Sequence, residues 1–201
     1  MGSAGSDNGA AAGGAPAAVK VLIAGGFGVG KTTMVSSVSE VPPLRTEEYM
    51  TRASIGVDDL EGVADKATTT VALDFGRITV TPDLVVYLFG TPGQERFWFM
   101  WNDLVNGALG AVVLADTRRL ETSFASIDFF ESRGIPFVVG VNCFNGVRDR
   151  TADEIREALD LDPGVPLQLV DVRERHDARD LLLSLVEHLM TLQAPVPEPV
   201  G

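Results

Sequence analysis

The part of the chain that decides the fold is Val19-Lys20-Val21-Leu22-Ile23-Ala24-Gly25-Gly26-Phe27-Gly28-Val29-Gly30-Lys31-Thr32-Thr33. Its apolar first half predicts a buried strand, and its second half matches every fixed position of the phosphate-binding motif G-x-x-x-x-G-K-[ST]. Glycines there let successive backbone N–H groups face phosphate oxygens, and the following helix adds the positive end of its dipole. We therefore expect a nucleoside triphosphate site, with Lys31 on the β- and γ-phosphates and the Thr32 hydroxyl on Mg²⁺.

Composition limits the other functions that the chain could have. With 201 residues, 45% of them hydrophobic, the chain has the size and apolar content of one globular domain. A net charge of −12 repels nucleic-acid backbones, so we expect no nucleic-acid partner. The single cysteine, Cys143, excludes an intramolecular disulfide and a multi-cysteine metal site. No signal peptide or transmembrane run is recognisable, and we expect a cytoplasmic protein.

Short apolar runs alternate with helical patterns along the chain. Six strands are predicted, at Val19–Ala24, Val71–Phe75, Leu84–Phe89, Ala111–Ala115, Phe137–Val141 and Leu167–Val170. Five helices are predicted, at Lys31–Ser39, Phe97–Val105, Thr122–Ser132, Ala152–Leu159 and Ala178–Leu192. This alternation predicts an α/β fold with a six-stranded, mostly parallel sheet, helices on both faces and a ligand site at the carboxyl ends of the strands.

The two ends of the chain differ from this pattern. Residues 1–18 consist largely of Gly, Ala, Ser and Pro, and residues 193–201 are rich in proline. Both segments lack periodicity, so we predict flexible tails around a single domain at residues 19–192.

A second motif follows a predicted strand: Leu88-Phe89-Gly90-Thr91-Pro92-Gly93-Gln94-Glu95-Arg96-Phe97. Together with the phosphate loop, it resembles the small Ras-like GTPases, whose second switch reads Asp-x-x-Gly-Gln-Glu. The match is complete except that Gly90 stands where those proteins have the Asp on the metal side. This resemblance implies the three-layer P-loop GTPase fold, with GTP and GDP as ligands and Mg²⁺ as cofactor.

The resemblance also assigns roles to residues elsewhere in the chain. It implies that Thr70 is the Mg²⁺ and γ-phosphate ligand of the first switch, with Thr68 and Thr69 as alternates. Val141-Asn142-Cys143-Phe144-Asn145 occupies the place of the base-reading Asn-Lys-x-Asp motif, and Asp171-Val172-Arg173 that of the backbone contact to the purine carbonyl.

The resemblance implies a mechanism in which catalysis is positioning and charge neutralisation. Gln94 orients the attacking water, Lys31 neutralises phosphate charge, and Thr32 and Thr70 hold the metal. The N–H of Gly93 contacts the γ-phosphate, so loss of that phosphate releases the switch regions. The expected function is a GTP-dependent molecular switch with slow hydrolysis.

A narrower resemblance comes from Phe89 to Trp101. This run is similar to that of the bacterial Mgl-type polarity GTPases and of actinobacterial, conservon-type GTPases associated with roadblock-fold proteins. The resemblance implies a protein partner, and a roadblock-fold dimer is the candidate for it. Since a helix cannot bury every member of a continuous bulky run, we expect an effector surface here. Its predicted members are Phe97, Trp98, Met100 and Trp101.

Two departures from the family pattern affect ligand binding. Gly90 removes a carboxylate from the metal site, and Asp58, Asp59 or Glu61 are candidates to replace it. Asn145 replaces the Asp that would accept the two guanine donors, which puts guanine selectivity in question and favours xanthine. Cys143 replaces a Lys, and we interpret it as a small buried hydrophobe.

Thirty-seven residues separate Thr32 from Thr70, which predicts an extended, mobile loop. Arg45 and Arg52 in this loop are candidates for an internal arginine finger. Two alternatives to an active switch stay open. One is a pseudo-GTPase that binds nucleotide as an interaction module, and the other is a small P-loop kinase or ATPase, against which Thr91-Pro92-Gly93-Gln94-Glu95 argues.

Overall fold

A computed structural model describes residues 15–42, 44–50 and 69–193. Seven strands form one sheet in this part of the chain: β1 Ala17–Gly25, β2 Leu44–Met50, β3 Thr69–Thr81, β4 Leu84–Gly90, β5 Ala108–Ala115, β6 Phe137–Asn142 and β7 Leu167–Val170. The helices are α1 Lys31–Val38, α2 Trp101–Leu104, α3 Glu121–Glu131, α4 Ala152–Ala158 and α5 Arg175–Gln193. Two short 3₁₀ segments cover Glu95–Met100 and Phe144–Gly146.

The sheet has the strand order β2-β3-β4-β1-β5-β6-β7. The five strands from β4 to β7 in this order pair in parallel, whereas β3 is antiparallel to β4 and β2 is antiparallel to β3. All six predicted strands are present, and the predicted α/β fold is confirmed. Strand β2 was not predicted, because Leu44-Arg45-Thr46-Glu47-Glu48-Tyr49-Met50 has no apolar run and lies at the edge of the sheet.

Each face of the sheet carries a separate hydrophobic layer. One layer packs α1 and α5 against the sheet through residues such as Met34, Leu181 and Leu185, which are all buried. The other packs α2, α3 and α4 through Trp101, Phe130 and Ile155, which are buried as well. The predicted helices on both faces are therefore confirmed. Alternate side chains of each central strand point to opposite layers, so these strands are apolar throughout.

The first strand and the last helix extend slightly beyond the residues predicted for them. β1 begins at Ala17 and α5 ends at Gln193. Residues 1–14 and 194–201, which make up most of the predicted tails, lie outside the described residues. Among the residues that are described, no helix combines the length and the apolar character that crossing a membrane requires.

Candidate functional site

The phosphate loop lies between the end of β1 and the start of α1. Gly30, the residue before the helix, has φ +111°, and a Cβ added there would lie 2.7 Å from Nδ2 of Asn142. Both the backbone conformation and the close approach require glycine. The same Nδ2 donates a 2.9 Å hydrogen bond to the carbonyl of Val29. Asn142, at the end of β6, thus holds the loop in place from a neighbouring strand.

Lys31 is the first residue of α1 and is 9% exposed. Its Nζ donates hydrogen bonds of 2.8 Å to the carbonyls of both Gly25 and Gly26. Burial lowers the pKa of Lys31 to about 8, and the nearby negative charge of Asp74 acts in the opposite direction. The ammonium group therefore lies inside the loop, where phosphate oxygens can replace the carbonyls as its acceptors.

A carboxylate from β3 lies next to the start of α1. The Thr32 hydroxyl donates a 2.6 Å hydrogen bond to Oδ2 of Asp74, a residue that is 8% exposed. Thr91 is buried too, and its Oγ1 has no hydrogen-bond partner in the described part of the chain. Hydroxyl and carboxylate oxygens are the donors that Mg²⁺ prefers, and the metal usually takes only one or two protein carboxylates together with phosphates. The residues at this point therefore fit a magnesium ion.

The segment after β4 contacts the phosphate loop directly. The N–H of Thr91 donates 2.9 Å to the carbonyl of Ile23 on β1, which keeps the start of the segment beside the loop. At Gly93, an added Cβ would lie 2.6 Å from Lys31 Nζ and 2.8 Å from the backbone nitrogen of Phe27. Only glycine permits this approach. Gln94 follows as a partly buried residue with extended backbone, at φ −94° and ψ 132°.

The bulky run at residues 97–101 divides into buried and exposed members. The single helix predicted here is a 3₁₀ segment followed by α2. Phe97 is 8% exposed and Trp101 only 2%, so the prediction that these two belong to an effector surface is wrong. The Trp101 ring packs edge-on against Phe129, at a centroid distance of 5.0 Å, and anchors α2 to the α3 layer. Trp98 and Phe99 are exposed, and Met100 is partly exposed.

The predicted base-site residues come together at the ends of β6 and β7. Oδ1 of Asn142 accepts a 3.4 Å hydrogen bond from the N–H of Val172. Oδ1 of Asn145 accepts one of 3.3 Å from the Arg173 guanidinium, which also donates 2.9 Å to Asp171. The hydrogen bonds from Arg173 hold the pKa of the Asp171 carboxyl below its usual range. Asn145 itself has φ +58°, a left-handed conformation that asparagine tolerates better than most residues.

Cys143 lies between Asn142 and Asn145 in the chain but makes none of the hydrogen bonds just described. It is 4% exposed, and burial raises the pKa of its thiol. The interpretation of Cys143 as a small buried hydrophobe is confirmed.

Two functional candidates were missed by the sequence analysis. Asp74 is one, and Arg119 is the other. The Arg119 guanidinium donates a 3.2 Å hydrogen bond to the carbonyl of Phe27 in the phosphate loop and lies 3.6 Å from Asp116. The sequence feature that could have pointed to Arg119 is the Arg118-Arg119 pair after β5, because ligands of α/β proteins bind at the carboxyl ends of the strands.

The first-switch predictions are only partly covered by the structure. Thr70 lies on β3 in register with Tyr49, and Arg45 lies on β2 in register with Asp74. The prediction of an extended, mobile loop between Thr32 and Thr70 is wrong for residues 44–50, because these residues pair with β3. The remaining candidates lie outside the described residues: Arg52, Asp58, Asp59, Glu61 and Thr68.

Solved structures with this architecture include two FeoB proteins. The cytosolic domain of the T. maritima FeoB iron transporter, in a GDP form, aligns with a TM-score of 0.63 at 17% identity over 91% of this chain and 66% of that chain. The FeoB G-domain from Methanococcus jannaschii aligns with a TM-score of 0.57 at 12% identity over 86% of this chain and 98% of that chain. At these identities the likeness establishes the fold, which is that of P-loop GTPase domains.

Comparison at the level of sequence identifies the family. An uncharacterized protein of Methanocaldococcus jannaschii, MJ1339, is 31% identical over 126 residues, which make up 62% of this chain and 69% of that protein. A family profile described as "Conserved hypothetical ATP binding protein" matches residues 23–192. Since this match spans the phosphate loop and nearly all of the described sheet, the chain belongs to the family of conserved hypothetical ATP binding proteins.

Proposed function

We propose that this protein is a guanine-nucleotide-dependent molecular switch. It binds GTP and GDP with Mg²⁺, hydrolyses GTP slowly and signals to a protein partner through residues 91–101. The observation that carries the proposal is the approach of Gly93 to Lys31 and to the backbone of Phe27. Because this segment lies against the phosphate loop, Gly93 in this proposal contacts a bound γ-phosphate, so that loss of the phosphate releases the segment.

Phosphate binding is the best-supported step of the proposal. The N–H groups of the loop and the start of α1 supply donors for phosphate oxygens, as in other loops of this type. The Lys31 ammonium exchanges its hydrogen bonds with the carbonyls of Gly25 and Gly26 for bonds to phosphate. When bound, Mg²⁺ supplies further neutralisation of phosphate charge, with the Thr32 hydroxyl and a carboxylate on its protein side.

Hydrolysis in this proposal depends on Gln94. The residue follows Gly93 directly, which puts its amide next to the segment that contacts the phosphate loop. An amide both accepts and donates hydrogen bonds, so it can orient a water molecule toward the γ-phosphorus. We propose a slow reaction, since Gln94 only orients this water and cannot take up its proton as a base would.

Signalling requires a surface that follows the position of Gly93. Trp98 and Phe99 are exposed five and six residues later in the chain, and large aromatic side chains are enriched at protein interfaces. Trp98 and Met100 stay in the effector surface expected from the sequence, Phe99 is added to it, and the buried Phe97 and Trp101 are removed. A roadblock-fold dimer as the partner and the bacterial Mgl-type relationship belong to the same proposal and rest on the resemblance of residues 89–101. A cytoplasmic location is a further part of the proposal.

The base site favours a second candidate, a nucleotide-binding interaction module with a different base preference. Asn145 offers an amide where guanine needs a carboxylate to accept its N1–H and N2–H₂ protons, and Arg173 already donates to the amide oxygen. An amide has the donor and acceptor that xanthine or adenine can use. The family description as ATP binding agrees with this alternative.

Calorimetric titration of the full chain with GDP, XDP and ADP distinguishes the two candidates. Tight binding of GDP that depends on Mg²⁺ is expected for the switch. A preference for XDP or ADP would contradict the guanine switch and support the second candidate.

Phosphate release then tests the enzymatic part of the proposal. Gln94→Leu should abolish release of phosphate from GTP while the affinity for GDP stays within about twofold of wild type. Gln168→Leu, on β7, is a matched control that should leave the rate unchanged. Equal rates for wild type and Gln94→Leu would show that Gln94 has no catalytic role.

A further inference from the structure

The loss of the metal-side carboxylate at Gly90 leaves this end of β4 without an acidic side chain of its own. The structure places another acid there. Phe75 on β3 pairs with Phe89 on β4, and one position further along the two strands Asp74 and Gly90 stand side by side. A Cβ added at Gly90 would lie 3.0 Å from Asp74 Cβ and 3.1 Å from Asp74 Oδ2. The Asp74 carboxylate therefore lies in the space that a side chain at position 90 would need.

The partners of Asp74 are those of a metal site. Its Oδ2 accepts the hydrogen bond of the Thr32 hydroxyl, the group that a phosphate loop uses to hold Mg²⁺. Its negative charge also acts on Lys31, whose pKa it raises against the effect of burial. A carboxylate that is 8% exposed loses most of its hydration, and a divalent cation would compensate for that loss more completely than one hydroxyl does.

We propose that Asp74 supplies, from β3, the carboxylate of the Mg²⁺ site that Gly90 lacks. The inference rests on the proposed function, because the metal arrives with a nucleotide. Asp74 acts next to Thr32, either on the ion or through one of its waters. Asp58, Asp59 and Glu61 are then not needed for this role.

The position of the metal-side carboxylate on β3 instead of β4 has a functional consequence. A carboxylate at position 90 would belong to the strand that leads directly into Thr91, Pro92 and Gly93. Asp74 instead lies on the same strand as Thr70, four residues away. Metal retention is therefore linked to β3 and the first switch, and Gly93 can move while the metal-side carboxylate stays in place.

The test compares Asp74→Asn with Asp83→Asn in the full chain. The asparagine keeps the size of the side chain and an oxygen acceptor for Thr32, but removes the charge. Asp83 is exposed in the turn between β3 and β4, so its substitution makes the same charge change away from the site. Each protein is loaded with whichever of GDP, XDP or ADP binds the wild type most tightly. Mn²⁺ binding is then measured by electron paramagnetic resonance, and nucleotide release is measured with Mg²⁺ and with EDTA.

Asp74→Asn should weaken Mn²⁺ binding by about tenfold or more, the usual effect of changing a group that supports a metal. In Mg²⁺ its nucleotide should leave faster than wild-type nucleotide, with a rate closer to that of wild type in EDTA, while the two proteins release nucleotide equally fast in EDTA. Asp83→Asn should behave as wild type. Unchanged Mn²⁺ affinity in Asp74→Asn, or faster release in EDTA as well, would overturn the role of Asp74 and leave the proposed nucleotide function intact.

A second variant covers the case in which Asp74→Asn does not fold. Gly90→Asp combined with Asp74→Ala moves the carboxylate to β4 and frees the space for it. Mn²⁺ affinity within a few-fold of wild type supports a single carboxylate at this point of the site. Wild-type Mn²⁺ affinity in Asp74→Ala alone would overturn it. If the wild-type chain binds none of the three diphosphates, the proposed function fails and the inference fails with it.

Discussion

The indole Nε1 of Trp101 donates a 3.1 Å hydrogen bond to the carbonyl of Pro92. Trp101 is 2% exposed and packs on Phe130 and Phe129, so it is part of the core on the α3 side of the sheet. Pro92 lies between Thr91 and Gly93, in the segment that contacts the phosphate loop. The hydrogen bond therefore connects the segment that the proposal expects to move with the nucleotide to the buried core on the α3 side of the sheet.

Trp101→Phe should lower the free energy of unfolding by about 1 to 3 kcal/mol. The phenyl ring keeps most of the aromatic packing, but the buried Pro92 carbonyl loses its donor. Urea unfolding followed by circular dichroism measures the change. Trp98→Phe is the matched control: Trp98 is exposed, so we expect less than about 1 kcal/mol. Equal losses in the two variants would contradict an anchoring role for Trp101.

Gly93→Ala should push residues 91–94 away from the phosphate loop. The new methyl group would lie 2.8 Å from the nitrogen of Phe27 and 2.9 Å from the carbonyl carbon of Gly26, and backbone atoms cannot rotate away. We expect about 1 to 3 kcal/mol of lost stability. The difference in tryptophan fluorescence between the diphosphate and triphosphate complexes should also become smaller.

The control for this variant is Gly164→Ala. A Cβ there meets only the end of the Asp162 side chain, at 3.0 Å. Full stability of Gly93→Ala, together with a wild-type fluorescence difference, would show that residues 91–94 do not depend on close contact with the loop.

Asn145→Asp should raise the affinity for GDP by about tenfold, or about 1.4 kcal/mol. A carboxylate accepts both guanine donors, whereas the amide accepts only at its oxygen. Competition from Arg173 limits the gain, because its guanidinium would pair with the new charge. Calorimetry with GDP and XDP measures the change, and Asn106→Asp, on an exposed turn, is the control. If the affinity for XDP rises instead of that for GDP, the base does not bind beside residue 145.

Nucleotide affinity should fall as the pH rises above about 8. In the free protein Lys31 has its pKa lowered to about 8 by burial, so above that pH it is mostly neutral. Phosphate binds the charged form and raises this pKa, so binding above pH 8 requires uptake of one proton and weakens by up to about tenfold per pH unit. Below pH 8 the lysine is already charged, and this dependence disappears.

Titrations from about pH 7 to about pH 9.5 in two buffers of different ionisation enthalpy measure that proton uptake. Lys31→Arg should flatten the pH profile, whatever its overall affinity, because a guanidinium stays charged throughout the range. A wild-type affinity that is constant over the range would show that Lys31 is charged in the free protein as well.

Local chemistry was enough to predict much of the candidate site. The phosphate loop is continuous in the chain, and its glycines have the conformations that such a loop needs. The sequence also predicts that Asn142, Asn145 and Arg173 lie close to one another, since parallel strands bring their carboxyl ends to one edge of the sheet. The polar strand β2 could not be predicted in this way, because an edge strand gains its stability from pairing and carries no apolar pattern of its own.

Which side chains of residues 97–101 are buried could not be predicted from the sequence for a different reason. A 3₁₀ segment followed by a single helical turn does not have the regular period of a longer helix, so spacing alone does not say which residues face the core. Packing against Phe129 and Phe130 decides that Trp101 is buried, and Trp98 is left at the surface.

The sequence by itself determined that this chain is an α/β protein with a phosphate loop and a Thr91-Pro92-Gly93-Gln94-Glu95 segment after a buried strand, since each of these features is encoded by neighbouring residues. Only the tertiary structure decided that Asp74 lies beside Thr32 and Gly90. The three residues belong to β3, α1 and β4, and Asp74 is 42 positions from Thr32 in the chain. Their meeting depends on the pairing register of two strands and on the packing of a helix across them, which local sequence does not encode.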